Sequence, residues 1–311
     1  LETKLVAANS LLPLAHSAQL GFGDYTVERL REELRQVRHD YFQAKDPTRK
    51  AECRANDEQL RKQISGALQS AGWPPTSAEK LAAWNPYDPN TYADFFEPKW
   101  MFGGQTRSFR PAHNTVLGSF SFVNEVNGQM ELSTASQSSE ADWLFDIVLG
   151  NPPYVRQEQI KELKPLLKPV YECYTGTADL YVYFYERGIN LLRPGGAFAF
   201  ITSNKWMRSS YGEGLRNWLS KNTTLSKLID FGDEPIFTAI AYPCIVILTK
   251  NKLPKNYQQS SNEITVLNWQ SSWDTANFLE VLGRESFRLP QKELTTGSWQ
   301  ITGQNERSLL E

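Results

Sequence analysis

From residue 144 onward, short apolar runs alternate with helical stripes. That alternation restricts this part of the chain to an α/β sheet whose strands are joined by crossover helices. The runs fall at 144–149, 197–203, 225–231 and 244–249. Between the first two, a helix is expected near 179–192, closed by Arg193-Pro194-Gly195-Gly196 as a helix stop and tight turn. A second helix is expected near 212–221. Only about a dozen residues, without a helical stripe, separate the last two runs, so these should form an antiparallel pair.

Upstream the pattern differs. Residues 4–11 read as a short buried strand entering a polar turn, the place where α/β proteins tend to bind ligands. Val27, Leu30, Leu34, Val37 and Tyr41 recur at three-four spacing and predict one helix, which Asp46-Pro47 interrupts. A second helix over 51–71, with Leu60, Ile64 and Leu68 on one face, stops at Gly72-Trp73-Pro74-Pro75. The resulting hairpin fits either an arm facing a partner or DNA, or a solvated pair packed on the domain, the commoner fate of charged helices. Residues 76–140 are rich in aromatics, Pro, Asn and Ser and have no clear period. The expected division is thus 1–20, first strand; 21–75, inserted hairpin; 76–140, irregular insert; 141–255, catalytic core; and 256–311, an extension beyond it.

The 311 residues, 40% hydrophobic and 12% aromatic, suffice for a real core. No run approaches the roughly eighteen apolar residues of a membrane span. The start has neither a signal pattern nor an initiator Met, so a cytoplasmic fragment without membrane contact is expected. Cys53, Cys173 and Cys244 are widely spaced, and His16, His39 and His113 form no ligand pattern, so neither a disulfide nor a metal site is expected. A net charge of −2 provides no global attraction for nucleic acid; any DNA contact needs a local basic surface.

Asn151-Pro152-Pro153-Tyr154 directly follows an apolar strand, where parallel sheets build active sites. Two prolines stiffen the loop and leave carbonyls to accept; Asn adds a side-chain carbonyl and Tyr a flat face. These parts suit a planar heterocycle bearing an amino group, such as adenine. Two acceptors hold its N–H bonds, and the aromatic ring stacks on it. Accepting both hydrogens from fixed positions favours a pyramidal nitrogen whose lone pair can attack a methyl sulfonium, by electrostatic preorganisation alone. A rigid loop or an exposed polyproline ligand would use the same residues.

Several patches together resemble the adenine-specific (N6) DNA methyltransferases of restriction-modification systems, particularly the large type II enzymes that fuse methylation and cleavage. They are Ala8-Asn9-Ser10-Leu11, Trp84-Asn85-Pro86-Tyr87-Asp88, Trp100-Met101-Phe102-Gly103, Asn151 to Gln157, Tyr174 to Tyr181, Ser203-Asn204-Lys205-Trp206-Met207-Arg208 and Ile229-Asp230-Phe231-Gly232. The resemblance implies a Rossmann-like class I S-adenosylmethionine-dependent sheet with an inserted helical hairpin. It also implies that Asn151 and the Pro152 carbonyl hold the target amine, that Pro153 stiffens the loop, and that Tyr154 stacks on an adenine flipped out of duplex DNA. Phe237 matches the family's second aromatic face, and Asn9 with Ser10 the segment that meets the cofactor's adenine. Arg156, Lys205 and Arg208, with Lys161, Lys164 and Lys168 nearby, are the expected DNA-facing cations; a solvated charged face is the plainer reading of the same residues. A monomer acting on double-stranded DNA is expected.

The family's Gly-rich cofactor loop is not found: Gly21-Phe22-Gly23 follows no apolar strand and reads as a plain loop. The expectation is a chain that begins after the family's first two strands and ends where its DNA-reading domain would start. Its sheet should have an open apolar inner edge, incomplete on the N-terminal side, and it should not methylate alone. Asp88 with Glu97 and Lys99 mimics a Mg²⁺ nuclease, but Pro98 breaks the strand that arrangement needs. Asn85-Pro86-Tyr87 reads as a turn. Two alternatives remain: a protein-glutamine methyltransferase, whose amide nitrogen is similarly planar, and a catalytically silent DNA-binding fragment.

Overall fold

In the computed structural model the described residues are 6–14, 25–88, 91–102, 122–126, 129–133, 145–234, 236, 242–252, 261–294, 297–299 and 301. The helical hairpin forms as α1 (Tyr25–Gln43) and α2 (Pro47–Ser70). Asp46 starts α2 by accepting from the Thr48 and Arg49 amides at 3.2 Å, with Pro47 in the first helical position. Two further helices, α3 (Pro75–Ala83) and α4 (Pro98–Met101), follow in the stretch that shows no sequence period. Pro98 therefore opens a helix.

One inward position of α1 differs from expectation: Arg38, not Val37, is buried. Asp57 of α2 is the reason, because it accepts from Arg38 Nε and Arg61 Nε at 2.7 Å each, and from the Tyr87 hydroxyl at 3.2 Å. Arg38 Nη1 also reaches the Trp100 and Met101 carbonyls at 2.5 and 3.3 Å. An apolar stripe cannot reveal such an inward salt bridge. The hairpin packs through Leu30, Leu34, Ile64 and Leu68 against Trp84, Phe95 and Trp100, as a docked pair rather than a free arm.

The strand expected over 4–11 reduces, in its described part, to one parallel bridge between Ala8 and Ala93. Asn9 ends it: its side chain turns back to accept the Leu11 amide at 3.2 Å, which takes the backbone out of extended pairing. A separate antiparallel hairpin, β1 (Phe122–Val126) and β2 (Gln129–Ser133), lies in the segment read as irregular.

The main sheet begins with β3 (Phe145–Gly150). After it come α5 (Lys164–Leu167), α6 (Leu180–Asn190), β4 (Leu192–Ser203) and α7 (Glu213–Asn222), then β5 (Thr223–Asp230) and β6 (Pro243–Lys250). The last elements are β7 (Glu263–Asn268), α8 (Phe278–Glu285) and β8 (Phe287–Pro290). The spatial order is β3-β4-β6-β5-β7-β8, with β6 antiparallel to β4 and β5, as the missing helical stripe between them predicts. Strands β3, β4, β5 and β7 run the same way, giving the expected Rossmann-like α/β sheet. Two boundaries move. Arg193 to Gly196 belong to β4 as a bulge, where the register jumps from Phe145↔Leu192 to Ile147↔Ala197. Residues expected as an extension supply β7 and β8 of the same sheet.

Helix α6 is apolar nearly all round and buried accordingly, with Val182, Tyr183, Tyr185 and Ile189 fully enclosed. Gly188 lets it approach the sheet: a Cβ there would meet Phe198 at 2.8 Å. Among the described residues β3 pairs only with β4, and on β3 the Ile147 and Leu149 side chains are 60% and 73% exposed, leaving that apolar face uncovered. No described helix is long and apolar enough to cross a membrane.

Candidate active site

Because four strands share one direction, the ends of β3, β4 and β5 and the start of antiparallel β6 lie along a single edge of the sheet. The loop Asn151 to Tyr154 leaves β3 there. Asn151 and Pro153 are exposed and Pro152 is buried; among the described residues, nothing donates to the Asn151 amide or the Pro152 carbonyl. Two unengaged acceptors thus sit on consecutive residues of a stiff backbone.

The loop is fastened from behind. The Leu180 amide donates to the Val155 carbonyl at 3.0 Å, and the Gln157 amide to Asp179 Oδ1 at 2.9 Å. Asp179 stands where a helix cap would, yet its side chain serves this loop and makes no cap bond to α6. Tyr154 is half-buried; its hydroxyl donates to the Ile201 carbonyl at 3.2 Å and its ring meets Tyr181 edge-on at 6.3 Å. Burial pushes the Tyr154 phenol up to about 12, so it stays a protonated donor throughout the neutral range.

Beside the loop lies a cleft of about 460 Å³, walled by Phe96, Phe145, Phe184, Leu191 and Phe200, with Ser10 on one side and Asn151 and Pro152 on another. Arg187 of α6 secures that wall: its Nε donates to the Ser10 carbonyl at 2.9 Å and its Nη2 to the Phe96 carbonyl at 2.7 Å. The buried Tyr171 hydroxyl donates to the Leu11 carbonyl at 2.6 Å. Ser10, held by Arg187, therefore lines the same cleft as Asn151 and Pro152 although more than a hundred residues separate them in the chain, while the Asn9 side chain is occupied with its own turn.

The expected cations fare unequally. Arg156 is exposed next to Tyr154. Arg208 pairs with Asp230 at 3.2 Å, and Lys205 Nζ lies 4.9 Å from the Tyr242 ring centre. Lys164 is committed to the Gln157 side chain at 2.6 Å and to the Gly176 carbonyl. Phe237 lies outside the described residues.

Three residues with structural roles here are given none by sequence reasoning: Arg187, and Asp179 and Asp230, which enter only as members of longer patches. Asp230 is buried and accepts from Asn204 Nδ2 at 2.7 Å and the Gly232 amide at 3.0 Å, fixing the loop after β4. Their available signal is a charge beside or within apolar runs, which calls for a partner without naming one.

Residues 98–237 match the family described as Eco57I restriction-modification methylase. The type II methyltransferase M.PaeR7I of Pseudomonas aeruginosa is 33% identical over 190 residues, covering 55% of this chain and 32% of that protein. The type II restriction enzyme and methyltransferase RM.Eco57I of Escherichia coli is 34% identical over 114 residues, 35% of this chain and 11% of that one. A crystal structure of the type IIG restriction endonuclease BpuSI is similar over 52% of this chain and 21% of its own, at 17% identity and a TM-score of 0.39. The chain thus spans about a third, or less, of the curated relatives it matches.

Proposed function

We propose that the protein, whose residues 98–237 match the family described as Eco57I restriction-modification methylase, methylates the N6 of an adenine extruded from double-stranded DNA, with S-adenosylmethionine as donor, within a restriction-modification system. One observation carries this reading: an Asn-Pro-Pro-Tyr loop with two unengaged acceptors at a strand's carboxyl end, opening onto an apolar cleft.

The cleft fits the adenosyl part of such a donor, since flat apolar walls at Phe96, Phe145 and Phe184 suit a purine, and Ser10 adds a polar edge. Ser10, Phe96 and Phe145 would hold it; when bound, the donor supplies a methyl group on a sulfonium sulfur. Asn151 Oδ1 and the Pro152 carbonyl each accept one N–H of the target amine. Held so, the amine lone pair is withdrawn from the ring and directed toward where the donor's methyl group would lie, and the surplus amine proton would leave to solvent. Tyr154, held by Ile201, offers the base a face at fixed height. Similarity to type II methyltransferases, one of them a combined restriction enzyme and methyltransferase, favours a DNA base over a glutamine amide as the nitrogen served.

The test is Asn151→Ala in the full-length protein. Incorporation of labelled methyl into duplex DNA should fall by at least about a hundredfold, the usual scale for removing one preorganised polar contact in a transition state. Retained adenine methylation would refute the role given to Asn151.

A further inference from the structure

Tyr242 is the only non-glycine residue with a positive φ, 47°, among the described residues. Side chains disfavour that region, and such strain persists only where surroundings over-determine it. Here they do. The Tyr242 carbonyl accepts from the Asn204 amide at 2.7 Å, the next carbonyl, of Pro243, accepts from the Phe231 amide at 3.0 Å, and Asn204 is itself held by Asp230. A core tyrosine has no need of this conformation, and glycine would adopt it more easily.

The strained backbone places the ring at the rim, 36% exposed, with the Lys205 ammonium 4.9 Å from the ring centre. The rim is that of the candidate site. Ser203 pairs with Pro243 on one side of β4, and Phe200 pairs with Gly150, just ahead of Asn151, on the other.

A part-exposed aromatic ring with a cation over one face has the chemistry of a nucleotide contact: its other face takes a base by stacking, and the ammonium takes a phosphate. We infer that Tyr242 stacks on a nucleobase at the rim of the site, with Lys205 directed to the adjoining phosphate. The inference rests on the DNA-methylation reading and adds a contact to it.

The experiment titrates the full-length protein with a fluorescein-labelled duplex carrying one unpaired adenine, at several salt concentrations. Tyr242→Gly and Tyr242→Asn place residues that accept a positive φ, so both should melt within a few degrees of the parent. Both should bind about tenfold more weakly, the scale of one lost base–aromatic stack, with an unchanged salt slope. Tyr242→Phe should restore binding, and Lys205→Gln should lower the slope by about one phosphate contact.

Parent-like affinity in the Gly and Asn variants overturns the inference and leaves the DNA reading standing. An affinity loss accompanied by a changed slope or a collapsed melting temperature overturns it as well, because Tyr242 would then act through Lys205 or the fold. A parent chain that does not bind this duplex removes both readings together.

Discussion

A methyl group at position 212 would collide with the Trp206 carbonyl, so this glycine sets how closely α7 can follow the loop that carries Asn204 and Lys205. That collision is with backbone, which cannot swing aside. Gly212→Ala should therefore lower unfolding free energy by about 3 kcal/mol, the upper part of the range for overpacking, read from the urea midpoint. A midpoint within error of the parent would contradict it. The residues of the candidate site were legible unequally. Asn151 to Tyr154 could be read because four neighbours carry the chemistry together and an apolar strand precedes them. Asp230 and Tyr242 could not, since the first is defined by donors that arrive from Asn204 and Gly232, and the second by a backbone angle.

At the scale of elements, α6 does two things at once. Its start fastens the Asn151 loop, and Arg187 near its end fastens Ser10 and Phe96. Arg187→Ala should loosen the second attachment without touching the first. The Leu12 and Phe96 amides, bonded to the Asn9 and Leu12 carbonyls at 3.3 and 2.9 Å, should exchange hydrogen about tenfold faster, as one or two lost bonds of about 1 kcal/mol imply. The Leu180 amide should be unaffected; equal acceleration at all three would mean general destabilisation instead. Strands β4, β5 and β6 were readable from their apolar runs, because burial imposes a near-continuous signal; β3 was readable from its run as well, although its Ile147 and Leu149 are exposed. The bulge in β4 was not, since Pro194 and Gly195 look locally like a turn, and only pairing with β3 keeps them in the strand.

Across the whole molecule, the cores are unusually rich in tyrosine. Burial pushes Tyr87, Tyr171, Tyr181, Tyr183 and Tyr185 up from the ordinary phenol value, along with Tyr154. The folded pKa values lie above the unfolded one of roughly 10, so the neutral form is favoured by folding. The stability this contributes is complete below about pH 10 and is lost as pH rises toward and through the folded values. Melting temperature should be flat with respect to these groups from pH 7 to about 9.5 and fall steeply above it; a flat profile to pH 11.5 would show that the rings are not enclosed as described. Read alone, the amino-acid order was enough for the α/β class, the helical hairpin and the place of the Asn151 loop at a strand end, because hydrophobic period and proline geometry are local properties. Tertiary structure decided that Arg38 and Arg61 turn inward on Asp57, that Ser10 lines the same cleft as the Asn151 loop, and that Lys205 and Tyr242 share a rim. Each of those depends on groups far apart in the chain, whose meeting is set by strand order and packing rather than by any neighbouring residue.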